Sequence, residues 1–500
     1  MEKISIAVAV LSIAGVSFGQ GSLTPPGAPA PSMKTLDQVE PRIDVVTLAG
    51  DLGVQYKIRQ SGSYYLSDNL IVSNSIGISI GASDVTLDLN GFRITHADEQ
   101  EGKAIYVSVI RNVTIKNGNI SEFEDGIYMY GSDGLYPTRG ARLENLNISR
   151  CTGYGLFVGS MSKVKNCHFA EVCGAAAVFA AANSSIENCT ANNSSGGYGF
   201  HLLAGAKVKN CTAKGSGGTG FNTGSNSVLQ ACTATQNAGN GIASGVNSCL
   251  HSCVASGNYG TAGISCGDSS VLTDCIVFNS QKGIYGISAG TSSSLSGCTA
   301  SDNQITFVGI FASGGSTLNN CTANNNLGSF GIYTGVGSKL NGCTAFDNKG
   351  TCGICADPGT IVENCTATYN STTNSSGNGG VGIMARSGST VRGCTTKSNK
   401  GDGIQVDHDC IVTGNECDEN GAYGDAAGIH ATGGDNRIEN NNVTDNDRGI
   451  EVDVDGNFII RNTASGNTTA FSITGTQTIG PIITATGTIT TTNPWANFSF

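Results

Sequence analysis

Ionisable side chains recur at one position of a repeated pattern in the C-terminal third of the sequence, three residues after the Ile of a Gly-Ile pair. The residues at this position are Asp357, Arg386, Asp407, Thr432 and Asp453, and those directly after the Ile include Met384, Gln405, His430 and Glu451. Groups of these types can donate or accept a proton during a reaction. The candidate catalytic residues are Arg386, Asp407, His430 and Asp453. Opposite charges on neighbouring strands, worth about 0.2–1 kcal/mol per pair, explain the same pattern without catalysis.

Carboxylates at and just after this position could also bind a metal ion. Ca²⁺ takes carboxylate and carbonyl oxygens as ligands. The candidate calcium ligands are Asp407, Asp409, Asp453 and Asp455. Calcium is the one cofactor that the sequence suggests.

Aromatic side chains occupy the residue after the Gly-apolar pair in earlier repeats. They are Tyr128, Phe157, His201, Phe311 and Tyr333. Stacked strands repeat every ~4.8 Å, a spacing close to that of sugar rings in a chain. An exposed column of rings could therefore bind a glycan by stacking. Inserted loops, such as residues 131–140, would remove this surface if they covered the rings.

A cysteine in the frame Asn-Cys-Thr-Ala marks the repeat that positions these residues. The cysteines are Cys167, Cys189, Cys211, Cys232, Cys253, Cys275, Cys298, Cys321, Cys343, Cys365 and Cys394. Most steps are 21–23 residues, and one step of 29 contains an insertion. The frame continues through Leu146, Gly118 and Asn90 in one direction and Asn415, Asn441 and Asn462 in the other. A fixed period of this length predicts one solenoid of about seventeen coils.

Short strand patterns separated by Asn, Gly and Ser turns leave no room for a helix in the repeat. The repeat lacks the leucine frame of leucine-rich repeats and is about half the length of a propeller blade. The remaining possibility is three short strands per coil, stacked into parallel sheets. The predicted fold is an all-β parallel β-helix.

The cysteine frame itself has a structural interpretation. The residue before the cysteine is Asn, Asp, Ser or Gly in successive coils, and Asn, Asp and Gly tolerate positive φ. The frame therefore predicts a sharp bend with Cys and Ala pointing inward, where free Cys packs as a small hydrophobe. A zinc or copper store would cluster four ligands rather than one per coil. Disulfides between neighbouring coils would need closer Cβ atoms than the stacking supplies, so mostly free thiols are expected.

A second polar column follows about five residues after the cysteine. Its members are Asn237, Asn258, Asn303, Asn326, Asn348, Asn370, Asn399, Asn420, Asn446 and Asn467. Stacked amides can form hydrogen bonds from one coil to the next, as side-chain ladders do in other stacked sheets. The sequence therefore predicts an asparagine ladder along one turn.

Composition narrows the range of partners. The 500 residues include 71 Gly and 19 Cys and carry a net charge of −11. Binding to nucleic acid or to an anionic membrane needs clustered Lys and Arg, and no basic run of five occurs. The acidic charge looks thinly spread along the chain. These features predict no nucleic-acid partner.

The N-terminus has the pattern of an export signal. Lys3 precedes an apolar run from Ile4 to Val16, and small residues stand before Gln20. We expect a signal peptide at 1–19, a Pro/Ala/Gly linker at 20–32, an N-terminal cap at 33–60, the β-helix at 61–475 and a C-terminal cap at 476–500. The apolar run is too short to span a bilayer. The expected location is secreted, periplasmic or cell-surface, with no membrane span.

Several segments resemble the right-handed parallel β-helix repeats of exported bacterial proteins, the pectate-lyase-like solenoids. They are Asp84–Ile94, Asn112–Ile120 and the Gly-Ile and Asn-Cys-Thr coils. Lys34–Ile43, Ser61–Leu70 and Ala485–Phe500 are similar to an uncharacterised group of such secreted proteins. The resemblance implies a right-handed coil. The Gly-His-Gly, Asn-Thr-Asp and Asp-Pro-His motifs of the catalytic members of this superfamily are absent from the sequence.

The uniform coils favour a non-catalytic scaffold over an enzyme, because enzymes of this fold usually carry long loops that wall a groove. The main prediction is a secreted or cell-surface β-helix scaffold that binds carbohydrate, with an extracellular or cell-wall polysaccharide as partner. The alternative is a polysaccharide lyase, epimerase or hydrolase that acts on an extended glycan. A lyase of acidic glycans would need a basic groove, and 27 Lys and Arg against 38 Asp and Glu offer little for one.

Overall fold

Short parallel strands form nearly all of the regular structure of the protein. The computed structural model describes residues 42–98, 101–108, 110–130, 138–372, 379–421, 426–484 and 487–500. The predicted signal peptide and linker lie outside these residues, as does the predicted cap up to residue 41. One 3₁₀ turn, Val45–Thr47, follows Asp44, whose carboxylate accepts a hydrogen bond from the Val46 amide at 3.2 Å. No helix among the described residues is long and apolar enough to cross a membrane.

One sheet, called sheet 1 here, receives a single strand from every coil. Its strands are Val54–Ile58, Ile76–Ile80, Lys103–Ser108, Asp125–Tyr130, Leu156–Val158, Ala176–Ala180, Tyr198–Leu202, Phe221–Thr223, Ile242–Ser244, Ala262–Cys266, Tyr285–Ala289, Val308–Ala312, Phe330–Thr334, Cys352–Ala356, Val381–Ala385, Ile404–Val406, Ala427–Ala431, Arg448–Val452 and Thr469–Ile473. Each strand pairs in parallel with the strand one coil away.

The other sheet, sheet 2, receives two strands per coil, on either side of the bend at the cysteine frame. The strands before the bend are Gly62–Tyr65, Val85–Asp88, Lys163–Lys165, Ser185–Glu187, Lys207–Lys209, Val228–Gln230, Cys249–His251, Val271–Thr273, Ser294–Ser296, Thr317–Asn319, Lys339–Asn341, Ile361–Glu363, Thr390–Arg392, Ile411–Thr413, Arg437–Glu439, Phe458–Ile460 and Thr478–Ile479. Two strands, Val113–Ser121 and Arg142–Ser149, run through the bend.

The strands after the bend complete sheet 2. They are Leu70–Val72, Arg93–His96, His168–Ala170, Thr190–Asn192, Thr212–Lys214, Thr233–Thr235, Val254–Ser256, Ile276–Phe278, Thr299–Ser301, Thr322–Asn324, Thr344–Phe346, Thr366–Thr368, Thr395–Lys397, Glu416–Asp418, Asn442–Thr444 and Thr463–Ser465. At the two ends of the sheet lie Arg42–Asp44, Ile482–Thr484 and Asn497–Ser499.

The predicted parallel β-helix is confirmed, with about 19 coils instead of seventeen. The two additional coils contain the sheet 1 strands Val54–Ile58 and Thr469–Ile473. The repeat count missed both; in the last coil the frame residue is Asn497, which follows Asn462 only after 35 residues. The first of them falls inside the range predicted as the N-terminal cap.

The predicted bend at the cysteine frame is also confirmed. The residues before the frame position have φ values in the left-handed region, for example 53° at Asn188, 51° at Ser252 and 62° at Gly297. All eleven frame cysteines are buried. The frame therefore turns the chain by one left-handed residue and packs a small side chain beneath the turn in most coils, and Leu146 occupies this position beside Gly118 of the adjacent coil.

The predicted asparagine ladder runs along the turn between sheet 2 and sheet 1. The amide nitrogen of Asn326 donates to the side-chain oxygen of Asn348 at 3.0 Å, and Asn348 donates to Asn370 at 3.1 Å. A second ladder replaces the cysteines in the last coils, through Asn415, Asn441, Asn462 and Asn497. These amides are buried, so each bond satisfies polar groups that water cannot reach.

The ladder explains the glycine of the Gly-apolar pair. A Cβ added at Gly331 would lie 2.6 Å from the carbonyl oxygen of Gly353 and 2.7 Å from the side-chain nitrogen of Asn348. Real Cβ atoms do not approach other atoms that closely. The following apolar residue, Ile332, is fully buried in the core. Burying such a side chain contributes about 1.5–3 kcal/mol.

The C-terminal segment pairs with the last coils. Asn497 extends the second asparagine ladder, and Phe498 stands in register with Thr463. Trp495 keeps 45% of its surface exposed and packs against the Arg461 guanidinium at 4.5 Å. Phe500 is 51% exposed and stacks on Phe498.

Candidate functional site

The outward side chains of sheet 1 form a single column along the solenoid, called the sheet 1 column here. Its members, in strand register, are Lys57, Ser79, Tyr106, Tyr128, Phe157, Phe179, His201, Asn222, Ala243, Ser265, Ser288, Phe311, Tyr333, Cys355, Met384, Gln405, His430, Glu451 and Ser472. In the sequence, the aromatic and the charged positions fall in two separate regions. Parallel strand pairing without a change of register places both regions in one column.

The first aromatic group is a stack that spans four coils. Tyr128 and Phe157 have ring centroids 4.8 Å apart, and Phe157 and Phe179 are 4.5 Å apart and nearly parallel. His201 continues the row edge-on at 5.2 Å from Phe179. The prediction missed Phe179, because its coil has Ala177-Val178 where the others have Gly-Ile. A signal was present, since Phe179 follows Val178 as Phe157 follows Leu156.

This stack turns ring edges rather than ring faces outward. Phe157 and Phe179 each expose only 7% of their surface, because each ring covers the face of the next. Tyr154 packs edge-on against Phe157 at 5.2 Å. Tyr128 and His201, at the ends of the stack, are half-buried, and burial lowers the pKa of His201. The inner ring faces of the stack are therefore covered, and Nζ of Lys103 lies 4.7 Å from the centroid of the Tyr128 ring at one end.

The second aromatic group leads into the charged region. Tyr285 and Tyr333 lie on either side of Phe311, at 5.2 and 5.7 Å. The Tyr333 hydroxyl donates to the Asp357 carboxylate at 2.8 Å, and the same carboxylate lies 3.4 Å from Nε of Arg386. Burial and the Asp357 charge raise the pKa of Tyr333 to about 12. The Arg386 guanidinium therefore forms an ion pair with the Asp357 carboxylate on the same face of the protein.

Asp407 has different partners from Arg386. One carboxylate oxygen accepts a hydrogen bond from the Ser387 hydroxyl at 3.1 Å, and the other lies 2.9 Å from Nδ1 of His408. The structure therefore does not join Asp407 to Arg386 or to Asp453 by a hydrogen bond or ion pair among the described residues. The predicted catalytic residues fall into three separate groups along one face.

The third group is centred on His430. Its Nδ1 lies 2.9 Å from a carboxylate oxygen of Asp402, and its Nε2 lies 2.9 Å from Asp453. Asp402 is 7% exposed and also accepts hydrogen bonds from the Ala427 amide and the Gln405 side chain. Burial alone would lower the pKa of His430, but the two carboxylates outweigh it and raise the pKa to about 9. The imidazole is therefore cationic at neutral pH and is a proton donor rather than a base.

Among the described residues, one group of side chains could share a metal ion. Ligand atoms of His430, Glu451 and Asp453 lie within 4.8 Å of one another. One oxygen of Glu451 binds Arg448 at 2.6 Å, and the other is buried without a hydrogen-bond partner. Of the predicted calcium ligands, Asp453 belongs to this group. The group does not include Asp407, Asp409 and Asp455. Calcium binding stays a prediction.

A family comparison agrees with this geometry. The family model described as "right handed beta helix region" matches residues 125–270, 157–305, 285–433 and 350–485, which together exceed half of the chain. The chain belongs to the right-handed β-helix family. The implied right-handed coil is thereby confirmed.

Solved structures similar to this β-helix protein match it at low identity. The A-module of a mannuronan C-5 epimerase from Azotobacter vinelandii is 14% identical over 80% of this chain and 91% of its own, with a TM-score of 0.29. The Dettilon tailspike protein is 14% identical over 58% of this chain, with a TM-score of 0.38, and the match covers 62% of its length. The catalytic domain of a GH87 α-1,3-glucanase is 12% identical over 73% of this chain and 70% of its own, with a TM-score of 0.25. No curated protein matches the sequence.

A cavity lies near this end of the β-helix protein, away from the sheet 1 column. It measures about 770 Å³ and is lined at the turn after sheet 2 by Tyr369, Glu419, Asp445 and Asp447 among others.

In the charged region, sequence reasoning missed Asp402, which contacts His430. It also missed the hydrogen bond that the Tyr333 hydroxyl donates to Asp357. The His430–Asp402 and Tyr333–Asp357 contacts each join two coils, so no local sequence pattern predicts them.

Proposed function

We propose that this protein is a secreted, periplasmic or cell-surface scaffold that binds an extended polysaccharide along the sheet 1 column without chemical turnover. The observation that carries the proposal is the unbroken register of the column, which sets aromatic and hydrogen-bonding side chains on one straight line. A ligand that fits such a line is an extended chain of similar units. Binding sites commonly combine apolar contact with a few oriented polar groups.

The part of the column best suited to binding runs from Phe311 to His430, apart from Cys355, which is buried. Phe311, Tyr333, Met384, Gln405 and His430 are all half-buried, so each presents part of its side chain to solvent. Tyrosine combines an apolar ring with a polar tip, as recognition of a sugar requires. The earlier stack from Tyr128 through Phe157 to His201 supplies ring edges and two half-buried ends to the same line.

Pairing of the charged groups supports binding rather than catalysis. Each candidate catalytic residue already has an intramolecular partner: Arg386 has Asp357, Asp407 has His408, and His430 has Asp402 and Asp453. A catalytic base must be able to reach the proton that it removes. Residues paired in this way can still orient the hydroxyl groups of a bound sugar.

Binding can be tested by affinity electrophoresis against a panel of soluble polysaccharides, followed by titration calorimetry on any hit. We expect the double variant Phe311→Ala with Tyr333→Ala to weaken binding, and Tyr128→Ala with Phe157→Ala to do so to a smaller extent. Tyr259→Ala is the matched control, because this ring is 53% exposed and lies at a turn outside the column. Equal losses in the control and the column variants would contradict the proposal.

One observation favours the alternative of an enzyme, namely a lyase, epimerase or hydrolase. The protonated imidazole of His430 between two carboxylates could act as a general acid, with calcium at Asp453 as a candidate cofactor. New unsaturated ends absorb in the ultraviolet, and epimerisation changes uronate stereochemistry. A calcium-dependent product signal that disappears in Asp407→Ala, Arg386→Ala or His430→Gln would replace the binding proposal by this one.

A further inference from the structure

Basic side chains gather on one part of sheet 2, far from the sheet 1 column in the coil. The group consists of Arg111, Arg139, Arg142, Lys163, Lys207 and Lys209 and is called the basic face here. All six side chains are exposed. The sequence shows no basic run because neighbouring members are separated by up to 44 residues along the chain. Stacking of the coils brings them together.

Register places like charges side by side on this face. Arg142 pairs in register with Lys163, and Arg111 pairs in register with Arg139. Neighbouring strands lie ~4.8 Å apart, so cations at paired positions repel one another. Paired cations therefore destabilise the sheet unless an anion lies between them or the charges have a function.

Within the described part of the chain, the carboxylate of Glu187 stands in register beside Lys209 of the basic face. None of its six members forms an ion pair there, although Glu144 and Glu187 stand on the same surface, and Glu187 lies 3.7 Å from Lys165. Later coils of the same sheet differ. Lys339 lies 3.0 Å from Glu363, and Lys397 lies 2.7 Å from Asp418. The unpaired state is therefore a property of this face and not of sheet 2 in general.

The acidic residues are concentrated elsewhere in the protein. Residues 401–455 contain fourteen Asp and Glu against two Arg and no Lys. The net charge of −11 thus hides two regions of opposite sign, and the even spread expected from the sequence is wrong. A polyanion would be attracted to the basic face and repelled from the C-terminal coils.

Two shallow cavities open on the basic face, next to each other along the solenoid axis. One measures about 360 Å³ and is lined by Arg142, Lys163 and Met161 among others. The other measures about 340 Å³ and is lined by Lys207, Lys209, Val228 and the carboxylate of Glu187 among others. Met161 and Val228 are 55% and 44% exposed. Each cavity therefore combines cations with an exposed apolar side chain.

We propose that the basic face binds a linear acidic polysaccharide, whose carboxylate or sulfate groups contact the cations. Arginine forms paired hydrogen bonds to such groups, and lysine supplies a point charge. The exposed apolar side chains suit the carbon-rich face of a sugar ring. The basic face lies on sheet 2, so binding there can be tested independently of binding along the sheet 1 column.

Charge density favours a glycan over nucleic acid as the occupant. Double-stranded DNA carries one charge per ~1.7 Å of its axis. Cations on the basic face are spaced by whole coils of ~4.8 Å, with an uncharged residue, Ser185, in register between Lys163 and Lys207. An acidic glycan with one charge per sugar matches this sparser spacing.

The test uses the whole protein and three soluble probes: polygalacturonate, dextran sulfate and uncharged dextran. Binding is measured by fluorescence anisotropy of the labelled probes at low and at high salt. We expect binding to at least one of the acidic probes, weakening as salt rises because the charges are screened. Arg142→Gln with Lys163→Gln, and separately Lys207→Gln with Lys209→Gln, should each weaken it by about tenfold, the loss of one or two charge-assisted hydrogen bonds.

Lys339→Gln with Lys397→Gln is the matched control, because it removes two paired cations of the same sheet and the same total charge. Thermal unfolding of all variants verifies that they remain folded. Three results would overturn the proposal: no binding of either acidic probe at low salt, equal weakening by the control, or weakening only by the sheet 1 variant Phe311→Ala with Tyr333→Ala. Tighter binding of duplex DNA or of phosphatidylserine vesicles than of either acidic probe would also overturn it in favour of that partner.

Discussion

The imidazole Nδ1 of His430 lies 2.9 Å from the Asp402 carboxylate, across two coils of sheet 1. Asp402 is nearly buried and holds two further hydrogen bonds, so its position is well defined. The opposite ring nitrogen contacts Asp453, which is exposed. One imidazolium thus links three successive coils in the most acidic part of the protein.

This arrangement predicts a pH dependence of stability. The pKa of His430 is raised from 6.5 to about 9, so the folded state holds the proton more tightly than the unfolded state. The contribution is full below about pH 6.5 and is lost as the pH rises through about 9. We expect the free energy of unfolding to fall by about 1–3 kcal/mol over this range.

Urea unfolding at pH 6 and pH 9.5 measures the effect, and NMR titration of the imidazole gives the pKa directly. In Asp402→Asn the pKa of His430 should return toward its ordinary value and most of the pH dependence should vanish. An imidazole of His430 that titrates near 6.5 in the unmodified protein would contradict this account.

The asparagine ladder predicts a large cost for one buried amide. Asn348 donates to Asn370 and to the Ala323 carbonyl, and it accepts two hydrogen bonds from Asn326. Asn348→Ala leaves several buried groups without partners, so we expect a loss of about 3 kcal/mol in the free energy of unfolding. Asn324→Ala, at an outward position of a strand, should cost less than about 0.5 kcal/mol. Equal costs in urea titrations would show that the ladder bonds contribute little.

The thiols should divide into two classes by reactivity. Cys173 and Cys249 are exposed, and the other seventeen cysteines are buried. Burial raises the pKa of Cys151 and of Cys417 to about 12, which suppresses the reactive thiolate. We expect Ellman's reagent to modify two thiols rapidly in the native protein and more than half of the nineteen after unfolding without reductant. Finding nearly all of them paired would contradict the interpretation of the frame.

The cysteine position should also be sensitive to size. Cys321 is fully buried beneath its bend, between Cys298 and Cys343 of the adjacent coils. Cys321→Leu adds volume that the bend cannot accept and should cost about 1–3 kcal/mol. Cys321→Ala removes one atom and should cost less. Urea titration of the two variants checks the order, and a more stable leucine variant would contradict it.

The glycine of the Gly-apolar pair should tolerate no side chain. In Gly331→Ala the new Cβ would meet the Gly353 carbonyl oxygen and the Asn348 amide at under 3 Å. We expect a loss of at least about 1–3 kcal/mol. Gly81→Ala is the control, because its nearest neighbour would lie 3.7 Å away. A thermal melt of each variant distinguishes them, and equal melting temperatures would refute the steric explanation.

The repeat made most of the fold predictable from the sequence. A period of 21–23 residues, small residues at the frame and asparagines at the turn each have a meaning within one coil, and the structure places Cys321, Asn320 and Asn348 as expected. The last coil was missed because its frame residue, Asn497, follows Asn462 only after 35 residues, and Phe179 was missed because its coil has Ala-Val in place of the Gly-apolar pair. Pattern matching fails where the pattern itself varies.

The sequence by itself determined which residues point inward, where the chain bends and how the coils stack, because these follow from the local repeat. Only the tertiary structure decided which side chains become neighbours between coils. The pairing of His430 with Asp402, the mutual covering of Phe157 and Phe179, and the basic face around Arg142 and Lys163 all depend on the register between strands tens of residues apart. That register is set by the length of each turn, and a change of one residue there would place different side chains in contact.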